Sequence, residues 1–496
     1  MKKYSYELKV LGEYMDVYSS LIDNKNKIES DFSDCSDFLL RECKVNGVDC
    51  IVCVLDGMVD SLQLSHMIMA PMLGYKGKEK TNAELFETLK TCVVNSLELS
   101  EVTTFEDVHF FLASGFAIVF VDGVSQCLSL GIQGFVKRQT DEPPTESDIK
   151  GAKECFTETL NDNKAIIRRR IKTPNLKLKQ LKIGEETKTS VVIAYIKGVA
   201  DDTLVSEVEE RITEAPIRNL QDFGELSSFL DSEVNSYFSA VGNTERPDTL
   251  CSKLLEGRVA VMMDGSPFVI YVPYLFTDSF STVDDYDNLP FYATLNRLLK
   301  YFAFVMSIGL PGFYVATGTF HQELIPTSLM FTIASAEATT PFSLMQEGLI
   351  VLVLYEIMRE AGLRLPKMIG HAVSIIGALV IGDAVVNAGL VGTPMLVVVA
   401  ITAIASYVIY PLYESISVLR ILFILLGGFT GIYGIVLGTC VICVNIAALN
   451  PYGVPYSAPV SPLNAKSIGD IFYRESWRKL AKRKVRIQNL RGADID

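Results

Sequence analysis

Apolar residues are arranged differently in the two halves of this chain of 496 residues. Up to about residue 290 they form short runs that end at polar turns, whereas from residue 298 onward they form long stretches. At ~1.5 Å of rise per residue, a helical stretch of this kind crosses a hydrocarbon layer about 30 Å thick. The pattern predicts an all-α polytopic membrane domain with spans at residues 298–317, 368–391, 395–410 and 421–449.

A further apolar segment, residues 344–358, is shorter and carries Glu347 and Glu356. We expect it to be re-entrant or interfacial, because charged groups are costly in lipid. The chain after the last stretch is rich in basic residues, namely Arg474, Arg478, Lys479, Lys482, Arg483, Lys484 and Arg486. The positive-inside rule assigns such a tail, and the start of the first span at Arg297 and Lys300, to the cytoplasm. The number of membrane crossings is then even, and we expect four. The basic residues that follow segment 344–358 also favour a cytoplasmic end for that segment, so a model with six crossings stays open.

In the first half, apolar runs that end at Asp-Gly indicate strands closed by tight turns. Residues 50–55 end at Asp56-Gly57, and residues 116–121 end at Asp122-Gly123 before a returning strand at 127–132. Both signatures occur again roughly 140 residues later, at 191–201 and at 257–272. The repetition favours two related α/β subdomains. The alternative is that strands ending in Asp-Gly are common and the resemblance is accidental.

These patterns divide the chain into six parts. We expect a polar lead-in without strands and a charged connector of helices and loops between the two subdomains. The predicted ranges are 1–45 for the lead-in, 46–136 and 189–290 for the α/β subdomains, 137–188 for the connector, 291–455 for the membrane domain and 456–496 for a basic cytoplasmic tail.

Composition excludes several classes of function. The formal net charge of −13 gives no overall basic surface for phosphates, so no nucleic-acid partner is expected. The ten cysteines have no regular spacing, which indicates reduced thiols rather than a disulfide scaffold. The first residues lack the apolar stretch of a signal peptide, so we expect a cytoplasmic N-terminal region. No nucleotide loop, nucleophile elbow or metal-site spacing is present in the sequence. We therefore expect no enzyme activity, no metal and no cofactor.

The strongest candidate for an ion pathway is Asp383, which lies well inside the predicted span 368–391. An ionisable group there costs about 3 kcal/mol and calls for compensation. Asn387 lies one helical turn later on the same face. The pair lines a water-filled path or a subunit interface, or else it makes a structural hydrogen bond between helices, and both interpretations stay open.

Glu347 and Glu356 either line an entrance or mark a helix at the membrane surface, and the second interpretation is favoured. In the predicted span 421–449, small residues recur at the spacing used for close packing of membrane helices. They are Gly427, Gly431, Gly434 and Gly438. A packing role is favoured over a gate for these glycines.

Several motifs resemble one known family. In the connector they are residues 142–147 (EPPTES), 151–158 (GAKECFTE) and 167–171 (IRRRI). In the membrane half they are residues 310–315 (LPGFYV), 319–327 (TFHQELIPT), 356–366 (EIMREAGLRLP), 372–382 (AVSIIGALVIG) and 450–456 (NPYGVPY). Together they resemble the A subunits of spore germinant receptors over most of the chain.

The resemblance implies a subunit in the inner membrane of a bacterial spore, partnered by a transporter-like B subunit and a lipoprotein C subunit. It also implies a ring-shaped homo-oligomer whose pore releases cations when the B subunit binds a nutrient. The chain departs from the family pattern at three positions. Where this chain has Asp383 and Asn387, the family often has Gln and Glu. Where this chain has Ala336, the family often has Arg. A branch of sporulation-associated homologues is similar nearly as closely.

The leading hypothesis is a ligand-gated cation channel subunit. One rival is a signalling scaffold that does not conduct ions, and another is a secondary solute transporter. A transporter of that kind is expected to show inverted repeats of its membrane segments, and the sequence shows none that we recognise.

Overall fold

The computed structural model of the chain describes residues 15–77, 79, 81–96, 98–134, 146, 150–231, 236–366, 377, 380–463, 470–480, 486–487 and 490. Two units of sheet and helix come first, and a mostly helical half follows. The predicted fold class is therefore confirmed, and every strand pairing in the two sheets is antiparallel.

The first unit is a five-stranded sheet with helices. Its strands are β1 Phe38–Val45, β2 Val48–Leu55, β3 Leu99–Val102, β4 Phe116–Val121 and β5 Cys127–Gly131. Its helices are α1 Leu21–Asp31, α2 Ser61–Gln63, α3 Ala70–Gly74, α4 Asn82–Thr88 and α5 Phe105–Leu112, with π-helical turns at Leu64–Met69 and Leu89–Val93. The strand order is β1-β2-β4-β5-β3.

The second unit repeats this plan. Its strands are β6 Leu176–Ile183, β7 Thr189–Ile196, β8 Gly242–Thr244, β9 Val259–Met263 and β10 Val269–Val272. Its helices are α6 Leu160–Arg170, α7 Asp202–Glu214, α8 Phe223–Leu230 and α9 Pro247–Leu255. The strand order, β6-β7-β9-β10-β8, is the order of the first unit carried forward by five strands.

The Asp-Gly turns make the same contacts in both units. Asp122 Oδ1 accepts from the N–H of Leu21 at 3.2 Å, and Asp264 Oδ1 accepts from the N–H of Leu160 at 3.1 Å. Each carboxylate thereby satisfies a free donor at the start of the helix that opens its unit. The glycines that follow have φ of +79° and +91°, which favours glycine at both places. This shared contact, together with the shared strand order, supports the predicted internal repeat.

Strands β1 and β6 correct two expectations from the sequence. β1 lies in the range taken as a strand-free lead-in, and β6 lies in the connector expected to hold only helices and loops. Each is the edge strand of its sheet and pairs with one neighbour. Edge strands carry charged residues on a solvated face, so their sequences, FLLRECKV and LKLKQLKI, lack the apolar runs of the inner strands.

A buried ion pair joins the two units. Arg168 of α6 donates from Nε and Nη2 to the two carboxylate oxygens of Asp37, at 2.7 and 3.0 Å. Both side chains are 1% exposed. Removal of either partner would be strongly destabilising, because the remaining charge would be buried without a counter-charge.

The helical half begins at α10 Asp284–Asp287. It continues with α11 Pro290–Phe320, α12 Thr327–Glu337, α13 Leu344–Arg364, α14 Thr393–Tyr407, α15 Tyr413–Thr430, α16 Ile432–Ala448 and the short tail helix α17 Trp477–Leu480. A π-helix lies at Val380–Val385, and 3-10 turns lie at Phe276–Phe280, Gln322–Leu324, Tyr410–Leu412 and Pro451–Gly453. By length and apolar composition, α11 and the stretch Tyr410–Thr430 are long enough to cross a membrane, while α14 and α16 are shorter apolar helices.

Two predicted segments differ from the observed helices. The prediction of one continuous span at 421–449 is wrong, because the chain turns at Gly431 between α15 and α16. Gly431 has φ +65° and ψ −148°, which a residue with a side chain rarely adopts. The segment predicted to end at residue 358 continues as α13 to Arg364. Part of the predicted span 368–391 lies outside the described residues, together with the residue before it. The ranges concerned are 367–376 and 378–379.

The base of α11 is held by charges from two sides. Arg297 is fully buried, and its Nε donates to Asp285 Oδ2 of α10 at 2.9 Å while its Nη1 donates to Asp470 Oδ1 of the tail at 3.1 Å. Burial raises the pKa of Asp470, and the charge of Arg297 opposes that rise. Further on, the N–H of Ile487 donates to the carbonyl of Glu256 in the second unit at 3.0 Å. The tail therefore lies against both α11 and the second unit.

Arg420 of α15 compensates a defect inside α11. Pro311 has no N–H to donate to the carbonyl of Ser307, one turn earlier. Arg420 is fully buried, and its Nε donates to that carbonyl at 2.9 Å. Its Nη2 donates to the carbonyl of Thr402 in α14 at 3.3 Å. One guanidinium thus joins α11, α14 and α15 where α11 lacks its own hydrogen bond.

For the joint between the units, Asp37→Asn is expected to destabilise the soluble region by about 3–5 kcal/mol, because Arg168 stays buried without a counter-charge. Calorimetric unfolding of the full chain in detergent measures the shift. The matched control is Asp49→Asn, which breaks a pair with Lys44 whose side chains are 57% and 71% exposed. An exposed pair contributes about 1 kcal/mol or less, so equal shifts for the two variants would contradict the assignment.

For the helix joint, Arg420→Met is expected to lower the unfolding midpoint of the membrane half, because the buried carbonyl of Ser307 loses its donor at a cost of about 1–3 kcal/mol. Pro311→Ala restores an N–H to the carbonyl of Ser307, so the loss caused by Arg420→Met should be smaller in that background. A double-mutant cycle on the full chain, unfolded by denaturing detergent, gives the coupling.

The control for this cycle is Pro394→Ala. Pro394 lies in the first turn of α14, where the missing N–H has no helical acceptor to leave unpaired. The effects of Pro394→Ala and Arg420→Met should add. Additive effects for Pro311→Ala as well would show that Arg420 does not compensate the proline.

Candidate functional site

Asp383 and Asn387 lie together on the surface of the helical half. Asp383 belongs to the π-helix Val380–Val385, and Asn387 Nδ2 donates to Asp383 Oδ1 at 2.7 Å. Both side chains are exposed in the single chain. Val385, at the end of the same π-helix, packs against an apolar cluster that includes Val315 and Val391. The pair predicted from the sequence is thus brought together, on an outward face of an apolar bundle.

Glu347 is in the opposite situation, since it is completely buried. It lies in the first turn of α13, and its Oε2 accepts from the N–H of Gly392 at 3.2 Å. Gly392 is the residue before α14, so the carboxylate sits at the positive end of that helix. Among the described residues its other oxygen, Oε1, has no hydrogen-bond partner.

Glu337, at the end of α12, was not singled out from the sequence. Its Oε1 is likewise buried without a partner among the described residues. A Cβ built on Gly392 would lie 3.6 Å from Cβ of Ala336 and 3.5 Å from Oε2 of Glu347. Only the fold shows this proximity, because Glu337 stands in no recognisable motif.

Glu356 is engaged in joining helices. The hydroxyl of Tyr413 in α15 lies 3.0 Å from each of its carboxylate oxygens, and Nε of Arg359 donates to Oε2 at 3.1 Å. The guanidinium of Arg359 also lies 3.9 Å from the ring centroid of Tyr413. These contacts tie α13 to α15. The role of Glu356 in an ion pathway stays a prediction.

The glycines of the predicted packing motif have different surroundings. A Cβ on Gly427 would clash with the carbonyl oxygen of Gly312, so the backbones of α11 and α15 are in direct contact. A Cβ on Gly434 would clash with the side chain of Thr430, and one on Gly438 would lie 2.8 Å from the side chain of Leu426, on the inner side of the α15–α16 hairpin. Gly431 forms the turn between the two helices.

No group of three or more His, Cys, Asp or Glu side chains suited to a metal ion occurs among the residues that the structure describes. What the helical half offers instead is carboxylate oxygens in two settings. One is the exposed pair Asp383 and Asn387, and the other is the fully buried Glu347 with the partly buried Glu337 nearby in the fold.

Comparison with known proteins gives a consistent result. A family profile described as Bacillus/Clostridium GerA spore germination protein matches residues 26–486. "Uncharacterized membrane protein YfkQ" of Bacillus subtilis (strain 168) is 37% identical over 494 residues, covering 97% of this chain and 95% of that protein. "Spore germination protein KA" of the same strain is 35% identical over 463 residues, covering 92% and 85%.

Among solved structures, the N-terminal domain of the A subunit of the Bacillus megaterium spore germinant receptor GerK3 is similar to the first part of the chain. It is 27% identical, covers 53% of this chain and 99% of its own, and superposes with a TM-score of 0.41. The family profile and the curated relatives extend over most of the chain, across both α/β units and the helical half. The chain belongs to the GerA family of spore germination proteins.

Proposed function

We propose that this chain is the A subunit of a nutrient germinant receptor, and that copies of it form a ligand-gated cation channel in the inner membrane of the spore. Membership of the GerA family supports the role in germination. The name of its relative, spore germination protein KA, points in the same direction. The partners proposed with it are a transporter-like B subunit that binds the nutrient, a lipoprotein C subunit and membrane lipid.

The observation that carries the channel proposal is the exposed carboxylate of Asp383 on an apolar helical half. A charged group facing lipid at mid-membrane depth costs about 3 kcal/mol. That cost disappears if the face is turned toward water or toward another copy of the chain. A ring of such carboxylates around one axis concentrates cations and excludes anions.

The junction at Arg297 supports the proposed topology. Because Asp470 of the tail contacts the base of α11 next to the second α/β unit, the tail and the soluble region lie on the same side of the helical half. An even number of crossings then separates them. The positive-inside rule supports a cytoplasmic location for that side, because the tail is rich in basic residues.

Flux measurements in liposomes test the proposal. The purified chain should conduct K⁺ in preference to Cl⁻ when assembled with its partners and given the nutrient. Asp383→Asn is expected to reduce that preference several-fold, because a ring of fixed negative charge is removed. Asn387→Asp should increase it, since it adds charge one turn away on the same face.

The control variant is Asp49→Asn, which removes an exposed carboxylate from β2 in the soluble region. It should leave the ratio of K⁺ to Cl⁻ flux unchanged. Absence of any flux from a verified assembly would favour a scaffold that does not conduct ions. Flux that is the same in Asp383→Asn and in the unmodified chain would remove Asp383 from the pathway.

A further inference from the structure

The beginning of α11 presents large apolar side chains to the outside of the chain. They lie on the side of the helix opposite the buried Arg297 and form what we call the base face. Phe291, in the first turn, is 92% exposed. A contiguous exposed apolar face marks a contact with a protein or a membrane. The residues of the base face are Phe291, Tyr292, Leu295, Leu298, Leu299 and Phe302.

The length of α11 sets the depth of this face. The helix has 31 residues, so at ~1.5 Å per residue it is about 46 Å long, whereas the hydrocarbon core of a bilayer is about 30 Å thick. With that core at residues 298–317, residues 290–297 extend about 12 Å beyond it, on the side where the tail contacts Arg297. The start of the base face therefore passes through the layer of phospholipid headgroups.

The tail lies along the same part of α11. The ring centroids of Phe472 and Tyr301 are 5.1 Å apart, and the N–H of Arg474 donates to Thr294 Oγ1 at 3.1 Å. Between these two contacts, the side chain of Tyr473 is exposed, as is that of Phe472. The tail thus follows α11 back toward its first turn and adds two exposed aromatic side chains beside the base face.

Basic residues follow directly after this contact. Arg478 and Lys479 of α17 are exposed. In the sequence, residues 476–493 contain seven basic residues and no acidic one. The cytoplasmic leaflet carries negative surface charge, which attracts basic segments close to a membrane-spanning helix. The charge of this stretch is therefore complementary to anionic phospholipids.

We propose that the base face of α11 and the adjoining tail, residues 472–479, lie among the headgroups of the cytoplasmic leaflet, where Arg478 and Lys479 bind anionic phospholipid. Aromatic side chains favour this layer, which accounts for Phe291, Tyr292 and Tyr473 together at one depth. A second copy of the chain is the rival occupant of the face. It is disfavoured because the basic stretch beside the face would repel its own copy.

This inference deepens the proposed function, on which it rests for the location in a membrane, by naming the class of lipid and the residues that contact it. Contact with lipid is measurable on the full chain without partners, nutrient or ion flux. Selection of anionic lipid by a chain that does not conduct would refute the channel alone. Flux without contact between the tail and lipid would refute this inference alone.

The depth of the tail is tested by fluorescence quenching with brominated phospholipids, on the full chain in bilayer discs. Trp477 is the only tryptophan of the chain, so Trp477→Phe combined with Tyr473→Trp places a single fluorophore beside the base face. Bromine near the headgroup should quench it more than bromine at the end of the acyl chain. Phe313→Trp, in the middle of α11, should show the reverse order in the same background. Phe110→Trp, at an exposed site on α5 of the soluble region, should be quenched by neither.

The class of lipid is tested by adding a small fraction of brominated lipid to discs of phosphatidylcholine. Brominated phosphatidylglycerol should quench Tyr473→Trp several-fold more than brominated phosphatidylcholine does, because the basic stretch concentrates anionic lipid. Arg478→Gln with Lys479→Gln should lower this ratio, as should high salt. The control is Arg218→Gln, which removes an exposed positive charge from the second α/β unit and should leave the ratio unchanged.

Two results would overturn the inference. If Phe313→Trp shows that the chain is inserted but Tyr473→Trp is not quenched, the tail does not contact lipid, and a second copy becomes the occupant of the face. If the two brominated lipids quench equally, or if the double variant has the ratio of the unmodified tail, anionic lipid is not selected by Arg478 and Lys479. Should Trp477→Phe unfold the chain, Tyr473→Trp in the unmodified background, read by difference, gives the same comparison.

Discussion

The structure depends on Arg297, a guanidinium with no exposed surface at the base of the longest helix. A buried guanidinium is tolerated only where carboxylates surround it, and here they come from α10 and from the tail, which are far apart in the sequence. Satisfying this one charge brings the tail back to the start of the helical half. It also fixes the direction in which α11 leaves the second α/β unit. The tail, the start of α11 and the second α/β unit are consequently in direct contact.

Within the helical half, a second buried guanidinium also needs partners from neighbouring helices. Arg420 compensates the carbonyl that Pro311 leaves free and so joins α11 to α14 and α15. Gly312 of α11 and Gly427 of α15 are in close backbone contact at the same helix interface. α11 is therefore held at its base by Arg297 and in its middle by Arg420.

The sequence predicts features that depend on neighbouring residues, and it misses those that depend on partners distant in the sequence. Inner strands ending at Asp-Gly were predicted because the apolar run and the turn are local, and their repetition made the two units recognisable. The edge strands β1 and β6 were missed because their outward faces carry lysine, arginine and glutamate. Gly431 stands in an apolar run and has the spacing of a packing residue, so only its backbone conformation shows the turn. Arg420 gains its importance from partners on other helices, which no local pattern reveals.

We propose that the Arg297 junction holds the soluble region and the tail on one face of the membrane. Protease digestion of sealed vesicles of known orientation, with an epitope at each end of the chain, measures this most directly. We expect both epitopes to be removed together from vesicles that expose the cytoplasmic face, and both to be protected in the opposite orientation. Removal of one epitope while the other stays protected would contradict the junction and the even number of crossings that follows from it.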